Sequence, residues 1–324
     1  MIFKNAFHLL IDNFKLNFKF LLYKIIVAVI TIALCAAFVY PTLHMIFSSD
    51  AFKSLLELFG DFFKALISGD VEFLRTFTEN LQEQASAFLT FLQDKTPNVV
   101  FFAVALVLIM LISRFLGGIG NFVFGKLIDD KMSSYAKTSF SSAFISNLGK
   151  GALWQLVYVP LTFIYDVCVL ALCFLVFLLL LNVIAVGFVA SIAALMVSVA
   201  LILCSQAVKL TLFSNVVPSM VADKSNLRTA MKKSFSFDKE RFGTLFCNYL
   251  ATSVLIWCIN VLFAVVSFGA ALLITIPMSY LMLICIQFVS YYSYGKKKYF
   301  LTKDQIVAPK EEKNEENFYD DFEL

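Results

Sequence analysis

Between Gly151 and Val208 the chain runs for 58 residues with a single charged side chain, Asp166. As one straight helix that run would be about 87 Å long, nearly three times the ~30 Å of a bilayer's hydrocarbon core. A soluble protein of this size has no interior able to hide it. The run therefore folds back on itself within a membrane, with the turn near Asn182, and gives spans over 152–181 and 184–208. A second uncharged stretch, from Thr244 to Tyr294, breaks at Gly269 into spans 245–268 and 271–294. Two further runs, 24–47 and 99–120, are each long enough to cross once.

The apolar runs are continuous rather than alternating, so the spans are helices and not barrel strands. Composition agrees: 60% of residues are hydrophobic and 15% charged, against about 45–50% and 25% in soluble domains. The fold class is an all-α integral membrane protein with six transmembrane helices. Residues 1–298 form the membrane domain, 48–98 an outer helical loop, and 299–324 a polar cytoplasmic tail.

Lysine and arginine collect on the cytoplasmic side during insertion. With the N-terminus inside, the inner segments hold 22 of the 26 basic residues. The outer segments hold Lys53, Lys64, Arg75 and Lys95, and the loop that carries them has eight acidic residues. Six spans with both termini cytoplasmic follow. The first 24 residues are amphipathic and read as mature chain rather than a cleaved signal.

Two connections read alike. Arg114 leads through an apolar run to Asp130-Lys131, and Lys209 leads to Asp223-Lys224, 93 residues on at the aspartates. Each then enters a span through Gly151-Ala152-Leu153-Trp154 or Gly243-Thr244-Leu245-Phe246. With a looser copy at the N-terminus, this predicts three parallel units of amphipathic helix plus hairpin.

Residues 2–22 place Ile2, Phe3, Ala6, Phe7, Leu10, Phe14, Leu21 and Leu22 at helical spacing, with Lys4, Lys15 and Lys19 among the polar positions. Such a helix lies in the interface, with its lysines toward anionic headgroups. Residues 223–242 behave similarly, with Asp223 or Ser225 as cap and Lys232 and Lys233 as lipid contacts. The outer loop predicts two surface helices, over 51–68 and 71–93.

Asp166 is the sharpest single residue. A carboxylate at membrane depth faces a bundle interior or a water cavity, and marks an ion or proton site or a structural pair. Pro160, six residues earlier, is a candidate break that would bring Asp166 nearer water. Arg114 is its candidate counter-ion, or else snorkels to the cytoplasm. Gly117, Gly118, Gly120 and Gly125 follow it without the spacing of a phosphate loop, and suit close helix approach.

The seven cysteines all lie in or beside apolar runs and form no CxxC pair, so they read as small hydrophobes. Two histidines cannot build a His-rich metal site, and no metal or other cofactor is expected. No nucleophile–base pattern is visible, so an enzyme is not expected. A net charge of +3 gives no reason to expect a nucleic-acid partner.

The run Val221-Ala222-Asp223-Lys224-Ser225-Asn226-Leu227-Arg228-Thr229-Ala230-Met231-Lys232-Lys233-Ser234-Phe235 resembles the cytoplasmic linker of bacterial six-span membrane families. These include the membrane domain found joined to glycerophosphodiester phosphodiesterases. The resemblance implies a bacterial plasma-membrane protein and no catalytic residues; the long outer loop and the lack of a phosphodiesterase domain depart from it.

Two functions are carried forward. One is a non-enzymatic scaffold or accessory subunit, whose partners are the bilayer, anionic lipid, and a protein bound through 48–98 or the tail 311–324. The other is a secondary transporter or channel that uses Asp166 as its intramembrane site.

Overall fold

The computed structural model describes residues 2–183, 187–236 and 239–308. The tail 311–324 lies outside them. In chain order the elements are α1 (Ile2–Asp12), α2 (Lys15–Phe38), α3 (Tyr40–Ser48), α4 (Asp50–Ser68), α5 (Val71–Asp94), α6 (Thr96–Ser134), α7 (Phe140–Val183), α8 (Gly187–Phe213), α9 (Val216–Ala222), α10 (Leu227–Phe235), α11 (Lys239–Val266), α12 (Leu272–Tyr294), β1 (Tyr299–Thr302) and β2 (Gln305–Val307). Of the described residues, 87% are helical. Six helices, namely α2, α6, α7, α8, α11 and α12, are long and apolar enough to cross a membrane. The fold is thus an all-α polytopic membrane fold. The chain forms two compact units, one of residues 26–113 and one of residues 1–25 with 114–324.

The smaller unit holds α3, α4 and α5 with the adjoining parts of α2 and α6. The run 24–47 is not one helix: α2 starts at Lys15 and ends at Phe38, and α3 resumes with Pro41 in its first turn. Proline has no N–H to donate, so it suits a first turn and not a helix interior. Val39, Ala105 and Ile109 form a small core here. Within 48–98, Ser49 caps α4 by accepting from the Phe52 N–H at 3.2 Å. Gly69 ends α4 at φ +73°, a left-handed conformation glycine adopts freely. Asp70 then caps α5 through the Phe73 N–H at 3.1 Å. The two helices face each other through rings, Phe52 on Phe88 and Phe62 on Phe77.

The larger unit is built around α12. Half of its most apolar window is buried, against 6% for α7, so α12 is the central helix and α7 a peripheral one. Leu281, Cys285, Ile286, Phe288 and Val289 are almost wholly enclosed. α6 packs through its glycines. A β-carbon at Gly118 would fall within the side chain of Gln155 on α7, one at Gly120 within the Tyr23 ring of α2, and one at Gly125 against Phe288 of α12. Three neighbours therefore approach one helix where it has no side chain.

Several boundaries differ from the sequence reading. The amphipathic segment 2–22 divides at Asn13, so Lys15 and Lys19 stand on α2 and not on a separate surface helix. α7 runs through Pro160 without ending there. α10 begins after Asn226, not at Asp223 or Ser225. Residues 299–307 are an antiparallel hairpin, not a tail. Tyr299 is buried there, accepts from the Asn5 amide at 3.0 Å and stacks edge-on to Tyr292.

The two matched connections also differ. Residues 135–139 link α6 to α7 without a helix, whereas α9 and α10 occupy the second connection. Each has a left-handed residue, Tyr135 and Lys224, both at φ +52°. Beside each, an N–H reaches a carbonyl six residues back, Ala136 to Asp130 and Ser225 to Ser219. The corners therefore correspond at Tyr135 and Lys224, 89 residues apart, which takes the two Asp-Lys pairs out of register.

Candidate functional site

The two residues singled out within the apolar runs meet. Arg114 Nη1 donates to Asp166 Oδ2 at 2.7 Å. Lys209 Nζ donates to the other oxygen, Oδ1, at 2.7 Å. Asp166 and Lys209 are mostly enclosed, with side-chain exposures of 17% and 11%, while Arg114 is 38% exposed. Three helices thus contribute one charge each, α6, α7 and α8. Both carboxylate oxygens are engaged by cations.

Helix geometry locates these charges along their helices. Arg114 lies about 27 Å from the start of α6, Asp166 about 26 Å from the end of α7, and Lys209 about 33 Å from the start of α8. Each is close to one hydrocarbon thickness from an uncharged helix end.

Lys209 was hidden in the sequence among the inner basic residues, because a turn near Asn182 sets residue 166 opposite about residue 198. In the structure residue 165 lies opposite residue 205, and Lys209 stands roughly one helical turn beyond. The observed Tyr165 hydroxyl to Ser205 carbonyl bond, 2.9 Å, fixes that register.

The basic residues of the N-terminal segment are arranged in stripes. Ala6, Leu9, Leu10, Asn13, Asn17 and Phe20 are buried. Phe3, Phe7, Ile11, Phe14, Phe18 and Leu22 are exposed, at steps of three and four along the chain. Lys4, His8, Lys15 and Lys19 are exposed one position after members of that apolar stripe. One segment therefore carries a face packed on protein, an uncovered aromatic face, and a cationic edge.

The remaining predicted lysines part company. Lys232 is exposed on α10. Lys233 is drawn onto Asp223, donating to Oδ2 at 2.9 Å. Tyr291 donates to the same oxygen and Lys297 to Oδ1. Partial burial pushes the Asp223 carboxyl up, and the donations from Lys297, Tyr291 and Lys233 outweigh it, holding the group at about 2. A parallel contact joins the other corner: Tyr292 donates to the buried Asp129 at 2.8 Å, and Lys126 donates to it at 3.2 Å. The Tyr291-Tyr292 pair at the end of α12 thus ties down both corners. Sequence reading missed Lys297 as a site residue because it stands in a Lys296-Lys297-Lys298 run that reads as a basic flank.

Among the described residues, no group of three or more His, Cys, Asp or Glu side chains is placed to hold a metal ion. No family model matches this chain, and no curated protein or solved structure matches it either.

Proposed function

We propose that this chain is a non-enzymatic, multi-pass membrane protein, a scaffold or accessory subunit that works through lipid and protein partners. The observation that supports it best is the paired stripe on α1 and α2. An uncovered row of Phe3, Phe7, Ile11, Phe14, Phe18 and Leu22 beside Lys4, Lys15 and Lys19 suits a segment lying at the acyl boundary with its cations toward anionic headgroups. In this reading both termini lie on the cytoplasmic side of a bacterial plasma membrane, which the sorting of the basic residues supports. The outer helices within 48–98, and the tail 311–324, are the proposed protein-binding elements.

The transporter reading loses ground on the Asp166 geometry. A coupling site near the midplane that alternates between two sides fits poorly with a carboxylate held by two cations about one hydrocarbon thickness from its helix end.

The test is lipid retention by the full chain, extracted gently and measured by native mass spectrometry. Wild type retains anionic lipid over zwitterionic lipid, and K4Q/K15Q/K19Q loses about a hundredfold of that preference, at about 1 kcal/mol per surface lysine. Equal retention by wild type and the triple variant sinks the reading.

A further inference from the structure

Lys24 on α2 stands apart from the other lysines of the N-terminal segment. Lys4, Lys15 and Lys19 are exposed, whereas Lys24 is half-buried. No further lysine, arginine, aspartate or glutamate follows it until Asp50, so it marks the start of the first span. Its ammonium lies 4.3 Å from the centroid of the Tyr280 ring on α12. It lies 5.2 Å from the ring of Phe20, one turn back on its own helix. α6 approaches the same Nζ at Gly117, where an added β-carbon would come within 3.3 Å of it. Three helices thus make a seat around one cation, two of them with rings and one with bare backbone.

The seat lacks an anion. Rings attract a cation electrostatically, but they give its three N–H donors no oxygen acceptor. Among the described residues no carboxylate pairs with Lys24, and its contacts are those with the two rings and Gly117. Enclosed charges are ordinarily paired. Lys126 and Lys209, the other enclosed lysines of this unit, each hold a carboxylate. The Tyr280 hydroxyl, beside the ammonium, is likewise without a hydrogen-bond partner among the described residues. Tyr280 also begins an apolar path. Ile276 and Leu273 lie four and seven residues before it on the same face of α12, and all three are exposed. The stripe leads from the two unpaired donors into the span.

We propose that Lys24 and the Tyr280 hydroxyl bind the phosphate of an anionic phospholipid whose acyl chain lies along Ile276 and Leu273. Charge complementarity and the continuity of donors with stripe select this occupant. A soluble anion would satisfy the ammonium and leave the stripe uncovered. A zwitterionic lipid brings its own cation to the same phosphate. An anionic phosphodiester carries one net negative charge to meet the single lysine, and an oxygen to spare for the hydroxyl. The inference rests on the anionic-lipid reading and deepens it. It assigns one tightly held lipid to a seat between spans, apart from lipids gathered along the exposed stripe of α1 and α2.

The experiment gives the full-length protein equimolar dioleoyl phosphatidylglycerol and dioleoyl phosphatidylcholine, and follows retention by native mass spectrometry as the collision energy rises. One phosphatidylglycerol outlasts all other lipid on wild type. K24Q lowers the retention of that last lipid about tenfold, the loss of one charge-assisted hydrogen bond. Y280F, which keeps the ring, lowers it about fivefold, the loss of one neutral hydrogen bond. Neither substitution strips a carboxylate of its partner, so both variants keep the wild-type thermal midpoint; should K24Q unfold, Y280F alone decides. Overturning results are a last lipid that is phosphatidylcholine, no lipid that outlasts the rest, or equal retention by wild type and either folded variant. Displacement of the last lipid by excess inorganic phosphate assigns the donors to phosphate alone and overturns the lipid as occupant. K4Q/K15Q/K19Q in the same assay lowers the total of anionic lipid and leaves the last one in place, so failure of the stripe and failure of the seat read differently.

Discussion

Asp166 is one charge set against two, and this asymmetry decides what its substitution does. Removing Arg114, the most exposed of the three, leaves the enclosed Asp166–Lys209 pair intact. Removing Asp166 leaves two cations facing each other. Losing one partner of a buried pair costs about 3–5 kcal/mol, and an exposed pair contributes about 0–1 kcal/mol. D166N should therefore lower the thermal midpoint in detergent well beyond R114Q, with K209Q nearer D166N. The double variant D166N/R114Q should cost less than the sum of its singles. Additive costs would mean that the pair contributes nothing. Asp223 gives the complementary case outside the spans. Its pKa is lowered on folding, so the stability it contributes is complete above the unfolded value near 4 and is lost as pH falls toward about 2. The stability difference between wild type and D223N should be flat above about pH 4 and shrink below it. Legibility at this scale follows chain distance. Asp166 stood out because a charge in an apolar run is rare, and Arg114 because it borders another. Lys297 gave no signal, because the contact that defines its role comes from a segment 74 residues away.

At the scale of elements, the spans were readable because each apolar run exceeds a membrane's thickness, and α12 falls within a residue of its expected limits. The starts of α2 and α7 and the end of α6 were not readable, because these helices continue well past the uncharged stretch into polar sequence. Hydropathy reports where lipid is tolerated, whereas helix ends are set by caps and by packing. The hairpin at 299–307 was missed for a related reason. Seven residues in two short strands have little intrinsic stability, and burial of Tyr299 and Leu301 holds them. The glycines of α6 carry the sharpest prediction here. Alanine at 120 gains about 1 kcal/mol of helix propensity, but its β-carbon meets the Tyr23 ring, whose hydroxyl is bonded to the Leu116 carbonyl at 2.6 Å. Overpacking typically costs about 1–3 kcal/mol, so G120A should unfold at lower temperature than wild type. Gly149, with open space around it, provides the control, since G149A meets nothing.

For the whole molecule, the charge sorting and the apolar lengths carried the membrane class and the number of spans. They carried nothing about which helix stands at the centre, because six runs of similar apolarity differ in burial only after they assemble. That centre is α12, the last of the six to be made, and α1, the first helix of all, is tied toward its end through Asn5 and Tyr299, 294 residues apart. Synthesis proceeds from the N-terminus at about 5–20 residues per second. The surfaces of α2, α6, α8 and α11 that pack on α12 are therefore made before their partner is. The order of the helices thus leaves the larger unit's core open until its central span is in place.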